Sequence, residues 1–199
     1  MRFRWFLAGA AVAGIGFTQF APEREIPHAP GVLVPAEPRQ EGIAGAPPVW
    51  TKSGYRITAV ARFEATARVI RTERYRFDRE SDLVPVDLAL GWGPMSDSAV
   101  LRGLSFSQNS RFYFYRWSAA PPIPSRQIMV NSANMHLIPA SERVARRLRE
   151  VRAGHIVHFS GYLVNATAGD GWIWATSLTR TDSGAGACEL VWVEEFEAS

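Results

Sequence analysis

Cysteine and lysine are almost missing from this chain of 199 residues, which has one of each, Cys188 and Lys52. A single cysteine excludes an intramolecular disulfide, so the fold must rest on its apolar core. CxxC and HExxH motifs are also missing, as are carboxylate clusters with the spacing of metal ligands. The sequence therefore predicts neither a metal nor a cofactor.

Excess charge is also scarce in the part of the chain that could form a domain. The whole chain carries a formal charge of +3, of which Arg2 and Arg4 in the N-terminal leader contribute two. Residues 22–199 are therefore nearly neutral. A neutral domain lacks the basic surface that nucleic acids require, and no nucleic-acid partner is expected.

Residues 1–21 form a hydrophobic leader. Arg2 and Arg4 precede an uncharged run of 17 residues, Trp5 to Ala21, which is close to the length of a membrane span. Basic residues ahead of such a run stay in the cytoplasm. The leader therefore predicts a single-pass inner-membrane protein that contacts the lipid through residues 5–21 and has its C-terminal domain in the periplasm.

We expect the leader to be retained as a signal anchor. Gln19 and Pro22 disfavour cleavage after Ala21, because a signal peptidase site requires small residues. Cleavage before Phe17 is the alternative, and it would release the domain into the periplasm.

The next segment, residues 22–50, holds seven of the thirteen prolines. Proline lacks a backbone N–H group and resists helix and sheet, so this segment predicts an extended linker that holds the domain away from the membrane. The remaining residues, 51–199, are expected to form one β-rich globular domain.

Hydrophobic periodicity in the domain favours strands. Apolar residues recur at every second position from Tyr55 to Val69, which predicts a long half-buried strand. Phe112 to Trp117 is a strongly aromatic strand whose side chains are expected to pack in the core. Shorter strands are predicted at Gln127–Val130 and in the C-terminal part, the latter at Ile156–Val164, Trp172–Thr179 and Cys188–Phe196.

One helix interrupts the strands, over about residues 141–153. Ser141 is a good N-cap, and Val144, Leu148 and Val151 form one apolar stripe. A helix inserted before the last strands of a small sheet is typical of an OB-like β-barrel. We therefore predict a mainly β (α+β) fold of that type, with a β-sandwich as the competing layout.

His136, Asn134 and Cys188 are the candidates for catalysis. A nucleophilic cysteine requires a base within hydrogen-bonding reach and a third group that orients the base, and these three supply the residue types. The more common role of such a cysteine is a small buried residue at the start of a strand. We therefore assign no catalytic residue from the sequence.

Trp92 and Asp97 are the candidates for ligand binding, because a tryptophan beside carboxylates can form a carbohydrate site. Asp82, Asp87 and Asp97 lie close to glycine and proline, however, and turn chemistry explains them equally well.

Four segments resemble a group of proteobacterial envelope proteins, single-pass or secreted, that have no assigned activity. These segments are Trp50–Ile57, Pro85–Asp97, Ser132–Ala140 and Thr176–Glu195. The resemblance implies an envelope location and transfers no site residue.

The sequence therefore predicts a membrane-tethered, non-catalytic periplasmic domain that binds a protein or an envelope ligand. One alternative is a cysteine-dependent hydrolase or acyl transferase that uses Cys188 and His136. Another is an OB-type binder of single-stranded nucleic acid, whose bases would stack on the aromatic strand.

Overall fold

The computed structural model describes residues 25–179 and 188–199 of the chain. Its strands are β1 (Arg39–Gly42), β2 (Val49–Lys52), β3 (Tyr55–Arg74), β4 (Val86–Gly91), β5 (Ser105–Asn109), β6 (Phe112–Arg116), β7 (Ser132–Pro139), β8 (Ile156–Thr167), β9 (Ile173–Trp174) and β10 (Glu189–Ala198). Its helices are α1 (Ser98–Leu101), α2 (Ser125–Val130) and α3 (Glu142–Glu150), with 3₁₀ turns at Arg79–Asp82 and Gly93–Ser96. The protein is mainly β, as predicted, and has a large mixed sheet.

Strand β3 organises this sheet. Its odd-numbered residues from Tyr55 to Val69 are buried, which confirms the long strand that the alternation predicted. The C-terminal part of β3 pairs antiparallel with β4, and β8 pairs antiparallel with most of the length of β3. The short strands β1 and β2 pair with its N-terminal half.

The other strands extend the sheet from β4 and β8. Strand β4 pairs antiparallel with β7, β7 pairs parallel with β10, and β10 pairs antiparallel with β8. Helix α3 connects β7 to β8. It begins after Ser141, whose Oγ accepts a hydrogen bond from the backbone N–H of Val144, and it buries Val144 and Leu148 against the sheet.

Apolar side chains form separate clusters on the two faces of the sheet. One cluster, which contains the apolar stripe of α3, includes Phe63, Leu88 and Phe159. The other includes Trp192, on which Trp50 of β2 stacks with ring centroids 4.8 Å apart. Each fully buried side chain of this kind contributes about 1.5–3 kcal/mol, so the fold needs no disulfide.

The β5–β6 hairpin is a separate two-stranded sheet inserted between β4 and β7. Tyr113 and Tyr115 pack on a third apolar cluster, whereas Phe112 and Phe114 on the opposite face of β6 are exposed. The expected core packing of this aromatic strand is therefore correct for one face only, because alternate residues point to opposite sides.

Two of the shorter strands differ from expectation. Gln127–Val130 belongs to α2, because the backbone N–H groups of Gln127 and Ile128 bond to the Pro124 carbonyl and close a helical turn. Of the strand expected over Trp172–Thr179, only β9 pairs with β8.

Residues 25–34, here called the N-terminal strap, lie along the domain and do not hold it away as a spacer. The N–H of Ile26 donates to the Ala153 carbonyl over 3.0 Å, and Gly93 donates to the Val34 carbonyl over 2.7 Å. Val34 itself is buried in the core. The physical reason is that the residues between the prolines keep free N–H and C=O groups, which bond to the domain.

No helix within these two described stretches is long and apolar enough to cross a membrane. The hydrophobic leader, residues 1–21, lies outside them, so the membrane anchor stays a prediction.

Candidate functional site

An open cleft lies between the turn of the β5–β6 hairpin, strand β9 and the outer face of β7. Its volume of about 440 Å³ falls in the range of small-molecule and peptide sites. The residues that line it are Glu80, Ser110, Arg111, Phe112, His136, Trp172, Ile173, Trp174, Ala175 and Cys188. Phe112 and Ile173 at its rim are 37% and 68% exposed, whereas His136 at its floor is buried.

Arg111 is the central charged group of this cleft. Its Nε and Nη2 atoms each donate to an oxygen of Asp78 over 2.9 Å, which is the bidentate geometry of a strong ion pair. Its Nη1 donates to Asp87 over 3.0 Å and to the Val84 carbonyl over 2.9 Å. The guanidinium also lies over the Tyr75 ring, 3.7 Å from its centroid.

The backbone of Arg111 is held as firmly as its side chain. Ser110 and Arg111 form the two-residue turn of the hairpin, with φ angles of 48° and 69° that are uncommon for residues other than glycine. The N–H of Arg111 donates to the Tyr75 hydroxyl over 3.0 Å. These contacts fix a backbone conformation that costs on the order of 1 kcal/mol by itself.

Asp87 and His136 form a buried pair beneath the cleft. They face each other across the β4–β7 pairing, and His136 Nδ1 lies 2.9 Å from Asp87 Oδ1. Asp87 is 0% exposed. The sequence predicts Asp87 in a turn, and this prediction is wrong: Asp87 lies within β4, where a buried carboxylate requires charged or hydrogen-bonding partners.

Burial and the charged groups at the floor of the cleft shift the pKa values of Asp78 and Tyr75. Burial would raise the pKa of Asp78, but hydrogen bonds from Arg111 and Ser81 outweigh it and hold that pKa below its ordinary value. Burial, with a smaller contribution from Asp87, raises the pKa of Tyr75 to about 12. Asp78 is thus ionised and Tyr75 neutral at physiological pH.

Asn134 and Cys188 also meet at Arg111. The Asn134 amide donates to the Arg111 carbonyl over 3.0 Å, and the Cys188 thiol lies 3.9 Å from the same oxygen. Asn134 Oδ1 accepts from Gln108 over 2.7 Å. Asn134 therefore holds the hairpin turn in place, and the carboxylate that lies beside His136 is that of Asp87.

Two tryptophans form one wall of the cleft. The Trp174 ring lies 4.8 Å from that of His136, and Trp172 packs edge-on against Trp174. Arg79 lies over Trp172 at 4.9 Å and pairs with Asp170. This wall is supported from behind, so it presents a preorganised aromatic surface.

The two candidates for ligand binding lie elsewhere. Trp92 is completely buried in the core and cannot contact a ligand without unfolding. Asp97 accepts hydrogen bonds from the N–H groups of Ala99 and Gly31, so it caps α1 and fastens the N-terminal strap. These bonds lower its pKa, the one from Gly31 most.

Sequence reasoning identified His136, Asn134 and Cys188, which the fold brings together, but missed Arg111 and its carboxylates. One signal was available: Asp87 is the only charged residue in the apolar run Val86–Leu90. Among the residues described, no three His, Cys, Asp or Glu side chains are grouped closely enough to hold a metal ion.

In comparisons with known proteins, no family model, curated protein or solved structure matches the chain.

Proposed function

We propose that the chain is a membrane-tethered periplasmic domain that binds a protein or an envelope ligand in the cleft described above and performs no chemistry on it. The observation that carries this proposal is the contrast between rim and floor. The rim offers exposed apolar and aromatic side chains, whereas the charged groups of the floor are bonded to one another. Rigid aromatic anchors with few polar groups are typical of a binding site.

We further infer that the large sheet is an OB-type barrel. The order of hydrogen-bonded neighbours β3, β4, β7, β10 and β8 returns to β3, which supports a closed ring. One parallel pair, β7 with β10, and a helix between the third and fourth strands of the ring also agree with OB topology.

The position of the cleft agrees with this inference. OB-type barrels bind ligands on the face of their second and third strands and with the loops that follow the first and fourth strands. Here those strands are β4 and β7, which supply Asp87 and His136. The loop after β3 supplies Glu80, and the segment between β8 and β10 supplies the tryptophan wall.

Among the residues described, Arg111 is the arginine that lines the cleft, and its bonding supports a non-catalytic function. Four N–H bonds of the Arg111 guanidinium already go to Asp78, Asp87 and the Val84 carbonyl. A group that must stabilise a developing charge in a transition state needs donors aimed at the substrate. Arg111 instead holds the hairpin against the sheet.

Two measurements on the full-length chain test the proposal. The first is co-sedimentation with purified peptidoglycan sacculi, which serve as a defined envelope ligand. The second is photocrosslinking in intact cells from a benzoylphenylalanine placed at Ile173, on the rim of the cleft. We expect sedimentation or a discrete adduct, and Trp174→Ala should reduce that signal roughly tenfold, as removal of a central aromatic anchor does.

The matched control is Trp117→Ala, which removes a partly exposed tryptophan at the end of the β5–β6 hairpin, outside the cleft lining. It should leave both signals unchanged. A chain that neither sediments with sacculi nor gives an adduct from Ile173 contradicts binding in the cleft. Alkaline phosphatase fused after Ser199 tests export separately, since it is active only outside the cytoplasm, and fractionation of the fusion with membranes tests the tether.

One arrangement favours the cysteine-dependent enzyme as a second candidate. Cys188 and His136 line the same cleft, and Asp87 Oδ1 lies 2.9 Å from His136 Nδ1, where the third group of a triad would be found. An activated thiol reacts with iodoacetamide with a midpoint pH below its ordinary value of about 8.5, and His136→Gln would restore that value. The non-catalytic function predicts an ordinary profile in both proteins.

A further inference from the structure

A second arginine, Arg68 on β3, is buried and does not belong to the described lining of the cleft. It is 2% exposed and is covered by the N-terminal strap and by the 3₁₀ turn before α1. Its Nη1 donates to the Ser98 hydroxyl over 2.7 Å and to the Ser96 carbonyl over 3.1 Å. It adjoins a pocket of about 360 Å³, here called the Arg68 pocket.

Nε and Nη2 form one edge of the Arg68 guanidinium, and only Nη2 has a hydrogen-bond partner there in the part of the chain that the structure describes. Nη2 lies 3.3 Å from Glu25 Oε1, which is longer than the 2.7–2.9 Å of a good charge-assisted hydrogen bond. Nε, on the same edge, is buried and has no hydrogen-bond partner among the described residues. An unsatisfied buried donor is unfavourable, so an oxyanion that accepted from both atoms would bind favourably.

Glu25, which provides the carboxylate at this edge, is readily displaced. Its side chain is 61% exposed and belongs to the strap, so the carboxylate can return to water at little cost. Asp97 is the other carboxylate near Arg68, and its Oδ1 already accepts from the N–H groups of both Gly31 and Ala99. An anion that replaced Glu25 would keep the charge of the pocket balanced.

The other lining residues of the Arg68 pocket indicate the chemistry of the ligand. Arg102 adds a second cation at its edge, and an apolar wall of Ile70, Leu101, Leu104 and Phe106 lies beside the two arginines. Two cations beside an apolar wall fit a tetrahedral oxyanion that carries an apolar substituent. The structure describes the chain from Glu25 onward, and Glu25 follows the end of the apolar run 5–21 by four residues. Four residues can span at most about 14 Å.

We propose that Arg68 and Arg102 form a binding site for a phosphate group, which Glu25 occupies in the absence of ligand and from which a phosphate displaces it. The phosphate is either that of a phospholipid headgroup or free inorganic phosphate. The site goes beyond the cleft-binding function, and none of its described lining residues lines the cleft. The lipid source alone rests on the proposed membrane tether.

The test is calorimetric titration of the full-length chain in neutral detergent with two probes, dihexanoylphosphatidic acid and inorganic phosphate. Glu25→Gln removes the competing carboxylate, so it should strengthen the binding of either probe about tenfold. Arg102→Gln should weaken it several-fold, and Arg68→Met should abolish it. Glu41→Gln, which changes an exposed carboxylate paired with Arg39, is the matched control and should have no effect.

The two probes separate the sources. A phosphatidic acid affinity at least tenfold above that of phosphate identifies the lipid headgroup, whereas equal affinities identify the free ion. Because Glu25→Gln is a gain of affinity at an exposed position, the test does not depend on the folding of Arg68→Met. The proposal is wrong if neither probe binds wild type or Glu25→Gln, or if Glu25→Gln and Arg102→Gln leave the affinity unchanged. Loss of ligand from the cleft in Trp174→Ala would not alter any of these results.

Discussion

The side chains of Arg111 and Arg68 are both largely shielded from solvent, with exposures of 12% and 3%, yet their surroundings differ. Arg111 makes two bidentate-edge bonds of 2.9 Å to Asp78 and a third contact to the fully buried Asp87. Within the described part of the chain, Arg68 has one carboxylate at 3.3 Å, on an exposed side chain, and its Nε has no hydrogen-bond partner. The guanidinium of Arg111 is occupied by hydrogen bonds within the fold and stabilises it, whereas the guanidinium of Arg68 can still bind an anion.

This comparison predicts unequal stability losses, of which Arg111→Met should be the largest. The substitution leaves Asp87 buried without its cation and releases the hairpin turn, so we expect a loss of about 3–5 kcal/mol. Urea unfolding followed by circular dichroism measures it. Arg111→Lys, which keeps the charge but not the bidentate geometry, should lose less. Equal stability of Arg111→Met and wild type would remove the structural role.

Arg68→Met should cost less, about 1–2 kcal/mol in the same urea experiment. The variant leaves the Ser96 carbonyl and the Ser98 hydroxyl without their donor, but Glu25 becomes hydrated because it is exposed. The exposed pair Arg39 and Glu41 provides the control, since Arg39→Met should change stability by less than about 0.5 kcal/mol. A loss of unfolding free energy as large as that of Arg111→Met would show that Arg68 has the same structural role as Arg111.

The smallest effect should come from Asp78→Asn, and it should depend on pH. The folded-state pKa of Asp78 is lowered, so its ionised form stabilises the fold above the unfolded pKa of about 3.9, and this stabilisation is lost as the pH falls through the folded value. We expect a deficit of roughly 1 kcal/mol at pH 7 that closes toward pH 2. A deficit that is constant over this range would contradict the ion pair with Arg111.

Local patterns determined how much of the fold was predictable. Alternation along β3 and the Ser141 cap of α3 operate within a few residues, and both elements are present as expected. Helix α2 was taken for a strand, because its short apolar run has no clear period and the Pro124 carbonyl that starts the helix is not visible as a cap.

The candidate site was predictable only in part, for a different reason. Asn134 and His136 share a face of β7 at a spacing that a sequence shows directly. The ion pairs of Arg111 join residues 24 and 33 positions apart, and they form only once the hairpin folds back on the sheet. Likewise, the N-terminal strap was read as a spacer from its prolines, although its remaining amides bond to the domain.

Strand β10 joins β7 to β8, and it follows every other strand in chain order. Until residues 189–198 have been synthesised, β7 and β8 each expose an unpaired edge, and the sheet is incomplete. The sheet should therefore be completed only after β10 has been synthesised, which makes the pairing of β10 with β7 and β8 a late step in folding. Deletion of β10 should accordingly yield a chain that is cleared by proteases.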